Sequence, residues 1–266
     1  MTTATTQEGV LERDACRIHY RVDGGADAPA LVLSNSLGVN LAMWDPQMEE
    51  FKRHFRVVRY DSRGHGASAV ARLGYTLKNL GEDVVALLDL LGIAKTSFCG
   101  LSMGGMVGMW LGLHAPARIE KLVLCSTAAR IGTPEMWVAR IENVCKNGML
   151  AITPAVISRW FTPQFLEREP QAVERVRQML LATPPEGYAW TCAAIALVDD
   201  REVLSRIRAK TLVISGTHDQ ATPPADGRFI AERIPGAQFV ELAAAHLSNI
   251  EAAPEFTREV SRFLLS

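Results

Sequence analysis

The sequence predicts an α/β fold: a mostly parallel central sheet flanked by helices, with a helical cap insertion. Three observations predict it. Short β-type runs alternate with helical patterns through the first half of the chain, only helical segments follow from about residue 128 to 197, and the alternation then resumes. The chain therefore divides into residues 1–127, the first part of one core, residues 128–197, the cap, and residues 198–266, the second part of the core.

Taken in order, the first strands are Cys16 to Val22, Leu31 to Ser34 and Arg56 to Tyr60. Leu77, Leu80, Val84, Leu87, Leu88 and Leu91 follow helical spacing, and Thr76 is placed to cap that helix. Thr96 to Cys99 is a short buried strand, and Met106, Val107, Met109, Trp110 and Leu113 suit a buried helix after it. Lys121 to Cys125 is the next strand. In the insertion, Pro134, Pro154, Pro163, Pro170 and Pro184-Pro185 punctuate the helices. The strand Thr211 to Ser215, a helix around Asp226 to Arg233 and the strand Gln238 to Leu242 restore the alternation. Pro254 opens a last helix with Phe256, Val260, Phe263 and Leu264 on its apolar face.

Composition narrows the function classes. With 266 residues the chain can bury a large core, and a net charge of −1 supplies no basic field for nucleic acid. The uncharged stretch Thr96 to Ala117 has the length of a membrane span, but its glycines break it into strand, turn and close-packed helix, so no membrane partner is expected. Met1 to Gly9 shows neither a basic n-region nor an apolar h-region, which makes a cytoplasmic location the expectation. Cys16, Cys99, Cys125, Cys145 and Cys192 lack paired spacing for zinc or redox chemistry and read as reduced packing residues.

The chemistry is written in Gly100-Leu101-Ser102-Met103-Gly104, where one serine stands between two glycines at a strand-to-helix junction. That is the pattern of a nucleophile elbow, although the bare motif also fits a glycine-rich turn with a serine cap. A serine hydroxyl is a poor nucleophile at neutral pH and needs a histidine to take its proton and an acid to orient the histidine. Asp219 follows the strand Thr211 to Ser215, and His246 follows the strand Gln238 to Leu242. In a parallel sheet both then sit at the carboxyl edge, where sites form. The chain order Ser102, Asp219, His246 is the hydrolase order of a serine elbow on an α/β sheet. The developing oxyanion needs donors, and the backbone N–H groups of Met103 and of Leu37, in the loop Ser34-Asn35-Ser36-Leu37-Gly38, are the candidates.

On these residues the chain resembles the α/β-hydrolase family over nearly its whole length, which implies the α/β-hydrolase fold. Asp61-Ser62-Arg63-Gly64-His65-Gly66-Ala67-Ser68 is similar to the family's loop after an early strand, and His65 is expected to be structural there. Two departures stand out: Asn35-Ser36 replaces the frequent His-Gly, and Ala245 replaces the frequent glycine before the histidine. Within the family the chain resembles the 3-oxoadipate enol-lactonases. That likeness rests on Leu33-Ser34-Asn35-Ser36-Leu37-Gly38, Phe98 to Met106, Ser126-Thr127-Ala128-Ala129-Arg130-Ile131-Gly132 and Ala221-Thr222-Pro223-Pro224.

The resemblance implies hydrolysis of a carboxylate-bearing enol-lactone in the β-ketoadipate route of aromatic breakdown, with no metal and no cofactor. The acid of the substrate calls for a cation beneath the cap. A helix begun at Thr133-Pro134 puts Trp137 and Arg140 on one face, and these are the substrate-binding candidates, with Arg130 and Trp160 in reserve. Trp137 as cap core, and Arg140 paired with Glu135 or solvent, remain open alternatives. So do an acyl-enzyme or direct water attack, and the oligomeric state. A general carboxylesterase, a cofactor-free perhydrolase or haloperoxidase-like hydrolase, and a non-catalytic small-lactone receptor are the rival functions.

Overall fold

The computed structural model describes residues 5–71 and 75–266. Among them, eight strands form one sheet: β1 (Thr5–Arg13), β2 (Cys16–Gly24), β3 (Ala30–Ser34), β4 (Arg56–Tyr60), β5 (Thr96–Leu101), β6 (Ile119–Cys125), β7 (Lys210–Gly216) and β8 (Gln238–Leu242). Their spatial order is β1-β2-β4-β3-β5-β6-β7-β8. The β1–β2 and β2–β4 pairs are antiparallel and all the others parallel, so the predicted mostly parallel sheet of an α/β-hydrolase fold is present. Consecutive residues such as Leu31, Val32 and Leu33 are all fully buried, which requires cover on both faces.

That cover comes from helices around the sheet. They are α1 (Asp45–His54), α2 (Leu77–Leu90) and α3 (Met103–His114), followed in chain order by the insertion helices and then the closing ones. Thr76 caps α2 as expected, and Asn79 completes a reciprocal capping box. Two elements carry no clear sequence signal. β1 is an edge strand of largely polar residues, and α1 is a short, strongly polar helix that buries only Gln47, Met48 and Phe51.

The insertion holds α4 (Pro134–Asn147), α5 (Thr153–Trp160), α6 (Pro163–Arg168), α7 (Pro170–Ala182) and α8 (Pro185–Ala196). Each has proline in its first two positions, where the missing N–H costs nothing. The chain returns to the sheet with α9 (Pro224–Arg233) between β7 and β8, and ends in α10 (Ser248–Glu251) and α11 (Ala253–Leu265).

Strand register places the site. Ser34 pairs with Gly100, Leu101 with Cys125, Cys125 with Ile214, and Gly216 with Leu242. The loops after β3, β5, β6, β7 and β8 therefore leave the sheet along one edge. The insertion is tied over that edge: Thr183 Oγ1 donates to Gly38 O at 3.0 Å, and Leu247 N–H to Trp160 O at 3.2 Å.

One expectation needs correction. Cys16, Cys99, Cys125 and Cys192 are buried packing residues, but Cys145 is exposed, because its position on α4 faces away from the core. No helix among the described residues is long and apolar enough to cross a membrane.

Candidate active site

Ser102 joins β5 to α3 with φ 59° and ψ −114°, in the left-handed half of the backbone map. Such a conformation costs on the order of 1–3 kcal/mol and persists only where its surroundings impose it. Here they do. The Ser102 N–H donates to Cys125 O at 2.8 Å, and Thr127 Oγ1 donates to Ser102 O at 2.8 Å. The flanking glycines are required by close approach: a Cβ on Gly100 would lie 2.1 Å from Gly104 O, and one on Gly104 would lie 2.2 Å from Ser34 O. The tightness of the turn projects the serine off the end of β5.

Asp219 and His246 meet at the same edge. His246 Nδ1 lies 2.8 Å from Asp219 Oδ2. The carboxylate also accepts from Ala221 N–H at 2.8 Å, Thr222 N–H at 3.0 Å and Thr222 Oγ1 at 2.8 Å. Burial pushes the Asp219 carboxyl up, but the His246 ring and the Thr222 donors outweigh it and hold the group below the usual aspartate range. An ionised Asp219 retains the proton on Nδ1, which leaves Nε2 as the imidazole's acceptor. Trp160 stacks on the ring, with centroids 6.0 Å apart and planes 26° from parallel.

Ser102 and His246 line one cavity of about 120 Å³ together with Leu37, Trp137, Arg140, Arg159, Trp160 and Tyr188. The Ser102 hydroxyl has no hydrogen-bond partner among the described residues, and neither do the N–H groups of Leu37 and Met103. A much wider open groove of about 1200 Å³, between α7 and the start of α1, contains no serine or histidine.

Trp137 and Arg140 share a face of α4 as their spacing predicts. The guanidinium lies 5.2 Å from the indole centroid, and Trp137 Nε1 donates to Ile131 O at 2.6 Å. Arg140 makes no ion pair with Glu135; the cavity wall takes that place. Of the two reserves, Trp160 lines the cavity, whereas Arg130 does not. Arg130 is exposed and pairs with Asp199 at 3.6 Å, so its charge is spent outside the cavity that Ile131 and Gly132 line. His65 is fully buried, donating through Nδ1 to Arg63 O at 3.2 Å, and burial pushes its pKa down.

Sequence reasoning missed Arg159 and Tyr188. Arg159 lies in the last turn of α5 beside Trp160, and an arginine next to an aromatic residue at a helix end is a weak signal without the tertiary fold. Burial, and then the charge of Arg140, lower the pKa of Arg159. Burial pushes the Tyr188 hydroxyl up, so it stays a neutral donor near both cations. Two guanidinium groups facing one small cavity without a carboxylate partner make a place for an anion.

A family model described as alpha/beta hydrolase fold matches residues 29–253. The chain is 43% identical over 243 residues to 3-oxoadipate enol-lactonase 2 of Acinetobacter baylyi, covering 91% of each chain. It is 41% identical over 257 residues to 3-oxoadipate enol-lactonase 1 of the same organism, covering 97% of this chain and 96% of that one. The crystal structure of the enol-lactonase from Burkholderia xenovorans LB400 superposes with a TM-score of 0.95 at 48% identity, covering 97% of this chain and all of that one.

Proposed function

The chain belongs to the alpha/beta hydrolase family and, within it, to the 3-oxoadipate enol-lactonases, and from that premise we propose that it opens the ring ester of 3-oxoadipate enol-lactone through Ser102, His246 and Asp219. It is a hydrolase acting on ester bonds. The product is 3-oxoadipate, in the β-ketoadipate route, and residues 128–197 serve as the cap that selects the substrate.

In the first step Ser102 Oγ attacks the lactone carbonyl carbon while His246 Nε2 takes the hydroxyl proton. The carbonyl oxygen becomes an oxyanion held by the free N–H groups of Leu37 and Met103, and Asp219 stabilises the imidazolium. Collapse breaks the ring C–O bond and releases an enolate oxygen, which takes the proton back from His246. The enolate is a better leaving group than an alkoxide, so this step is easy. Water then attacks the Ser102 ester with His246 as base, frees the new carboxylate and restores the serine. The released enol rearranges to the ketone.

One observation carries the choice of substrate. The cavity shared by Ser102 and His246 is walled by Arg140 and Arg159, neither of which has a carboxylate partner among the described residues. Its volume of about 120 Å³ falls below the range of roughly 300–1,000 Å³ usual for larger ligands. Both features suit a small acid better than a neutral long-chain ester.

The test is the loss of ultraviolet absorbance of the enol-lactone on adding purified protein, beside a neutral ester control. Wild type should consume the lactone and Ser102→Ala should not. Hydrolysis of the neutral ester alone would favour a general carboxylesterase, and binding without turnover would favour a receptor.

A further inference from the structure

The end of α5 and the loop that carries His246 are joined by several contacts, and a single carboxylate organises most of them. Glu251 is the last residue of α10. Its Oε2 accepts from the N–H of Ala245, the residue before His246, at 2.9 Å. The same carboxylate accepts from the Thr162 N–H at 3.2 and 3.3 Å and from the Thr162 hydroxyl. Thr162 is itself the cap of α6: its Oγ1 accepts from Phe165 N–H at 3.3 Å, so the hydroxyl proton is free to point at Glu251. Beside this bridge, Leu247 N–H donates to Trp160 O at 3.2 Å and Trp160 stacks on His246. Arg159, which faces the cavity, directly precedes Trp160.

We infer that Glu251 is a positioning residue, whose carboxylate fastens the Trp160–Thr162 segment of the insertion to the His246 loop so that cap and imidazole move as one body. The inference rests on the proposed roles of Ser102 and His246. The chemistry calls for a carboxylate: three donors from two loops converge on one group, and only an anion with two acceptor oxygens satisfies them all. An amide keeps one acceptor and turns its other end into a donor facing donors.

The test is a double-mutant cycle between Glu251→Ala and Thr162→Val, with Glu251→Gln as the conservative variant that keeps an acceptor for Ala245. Four quantities are read: kcat and KM on the enol-lactone and on p-nitrophenyl acetate, the rate of fluorophosphonate labelling of Ser102, and amide hydrogen exchange of residues 243–247. In Glu251→Ala, kcat should fall about tenfold on both substrates, as expected when a reacting group is held loosely. Glu251→Gln should recover part of that loss, and the double variant should be no worse than Glu251→Ala alone.

Exchange at 243–247 should quicken in Thr162→Val, although the Thr162 side chain bonds Glu251 and not that loop. The idea is overturned by additive effects, by a kcat in Glu251→Ala within about twofold of wild type, or by unchanged exchange in Thr162→Val. If wild type labels with fluorophosphonate but ignores the enol-lactone, the substrate reading fails while the cycle on the neutral ester still decides the bridge. If wild type does not label, the triad reading fails and the exchange data decide.

Discussion

Arg140 and Arg159 line the same cavity as Ser102, one from α4 and the other from α5, close enough that the Arg140 charge acts on Arg159, and neither has an acidic partner among the described residues. On the proposed function each is free to meet the carboxylate of the substrate. Arg140→Ala or Arg159→Ala should raise KM for a carboxylate-bearing lactone by about 10- to 100-fold, the worth of one charge-assisted hydrogen bond. Steady-state kinetics should show little change for a neutral ester of similar size.

The strain at Ser102 should be measurable as stability. Glycine takes φ 59° without penalty. Ser102→Gly should abolish turnover yet gain about 1 kcal/mol, or roughly 2 °C in Tm for a chain of this size. Differential scanning calorimetry beside Ser102→Ala would separate relief of backbone strain from loss of the hydroxyl.

Asp219→Asn should lower kcat by about 10⁴-fold, because an amide cannot stabilise the imidazolium and favours the wrong tautomer. Its stability profile follows from the depressed carboxyl. A group with a lower pKa in the folded state contributes stability that is fully present above its unfolded value of about 3.9 and is lost as the pH falls through the folded value. The stability difference between wild type and Asp219→Asn should thus be flat from neutral pH down to about 4 and shrink below it. Urea titrations across that range would read it.

Gly104→Ala should be severe. Its new Cβ would fall 2.2 Å from Ser34 O, a backbone atom between two buried strands that cannot step aside. A loss of about 3 kcal/mol is expected, with the elbow displaced. Thermal unfolding and fluorophosphonate labelling together would show both effects.

The parts of the site written in local sequence could be read without coordinates. Gly100 and Gly104 announce a close approach, and Ser102, Asp219 and His246 follow recognisable strands, so the parallel sheet itself brings their loops to one edge. The proline-led helices of the insertion were equally plain. What could not be read was long-range. Arg159 reaches the cavity only because the end of α5 is held against the loop that carries His246, and nothing in Ser158-Arg159-Trp160 says which side will be covered. Arg130 shows the opposite error: a cation near the right strand end, turned outward to Asp199. β1 escaped notice because an edge strand needs little apolar surface, and α1 because most of its residues face water.

The position of β8 at the rim of the sheet has a consequence for the life of the chain before it is finished. Strands β3 to β6 lie inside the sheet and precede the insertion, so the serine turn can take shape on a growing polypeptide while the imidazole has yet to be made. On the proposed mechanism a nascent chain is silent until β8 docks and delivers His246. Gln47 Nε2 then donates to Asn249 O at 2.6 Å and Asn249 Nδ2 to Met43 O at 2.8 Å, a stitch between α10 and the chain at and just before α1. Activity arrives in a single late event, and a chain shortened before residue 238 should fold much of its sheet and hydrolyse nothing.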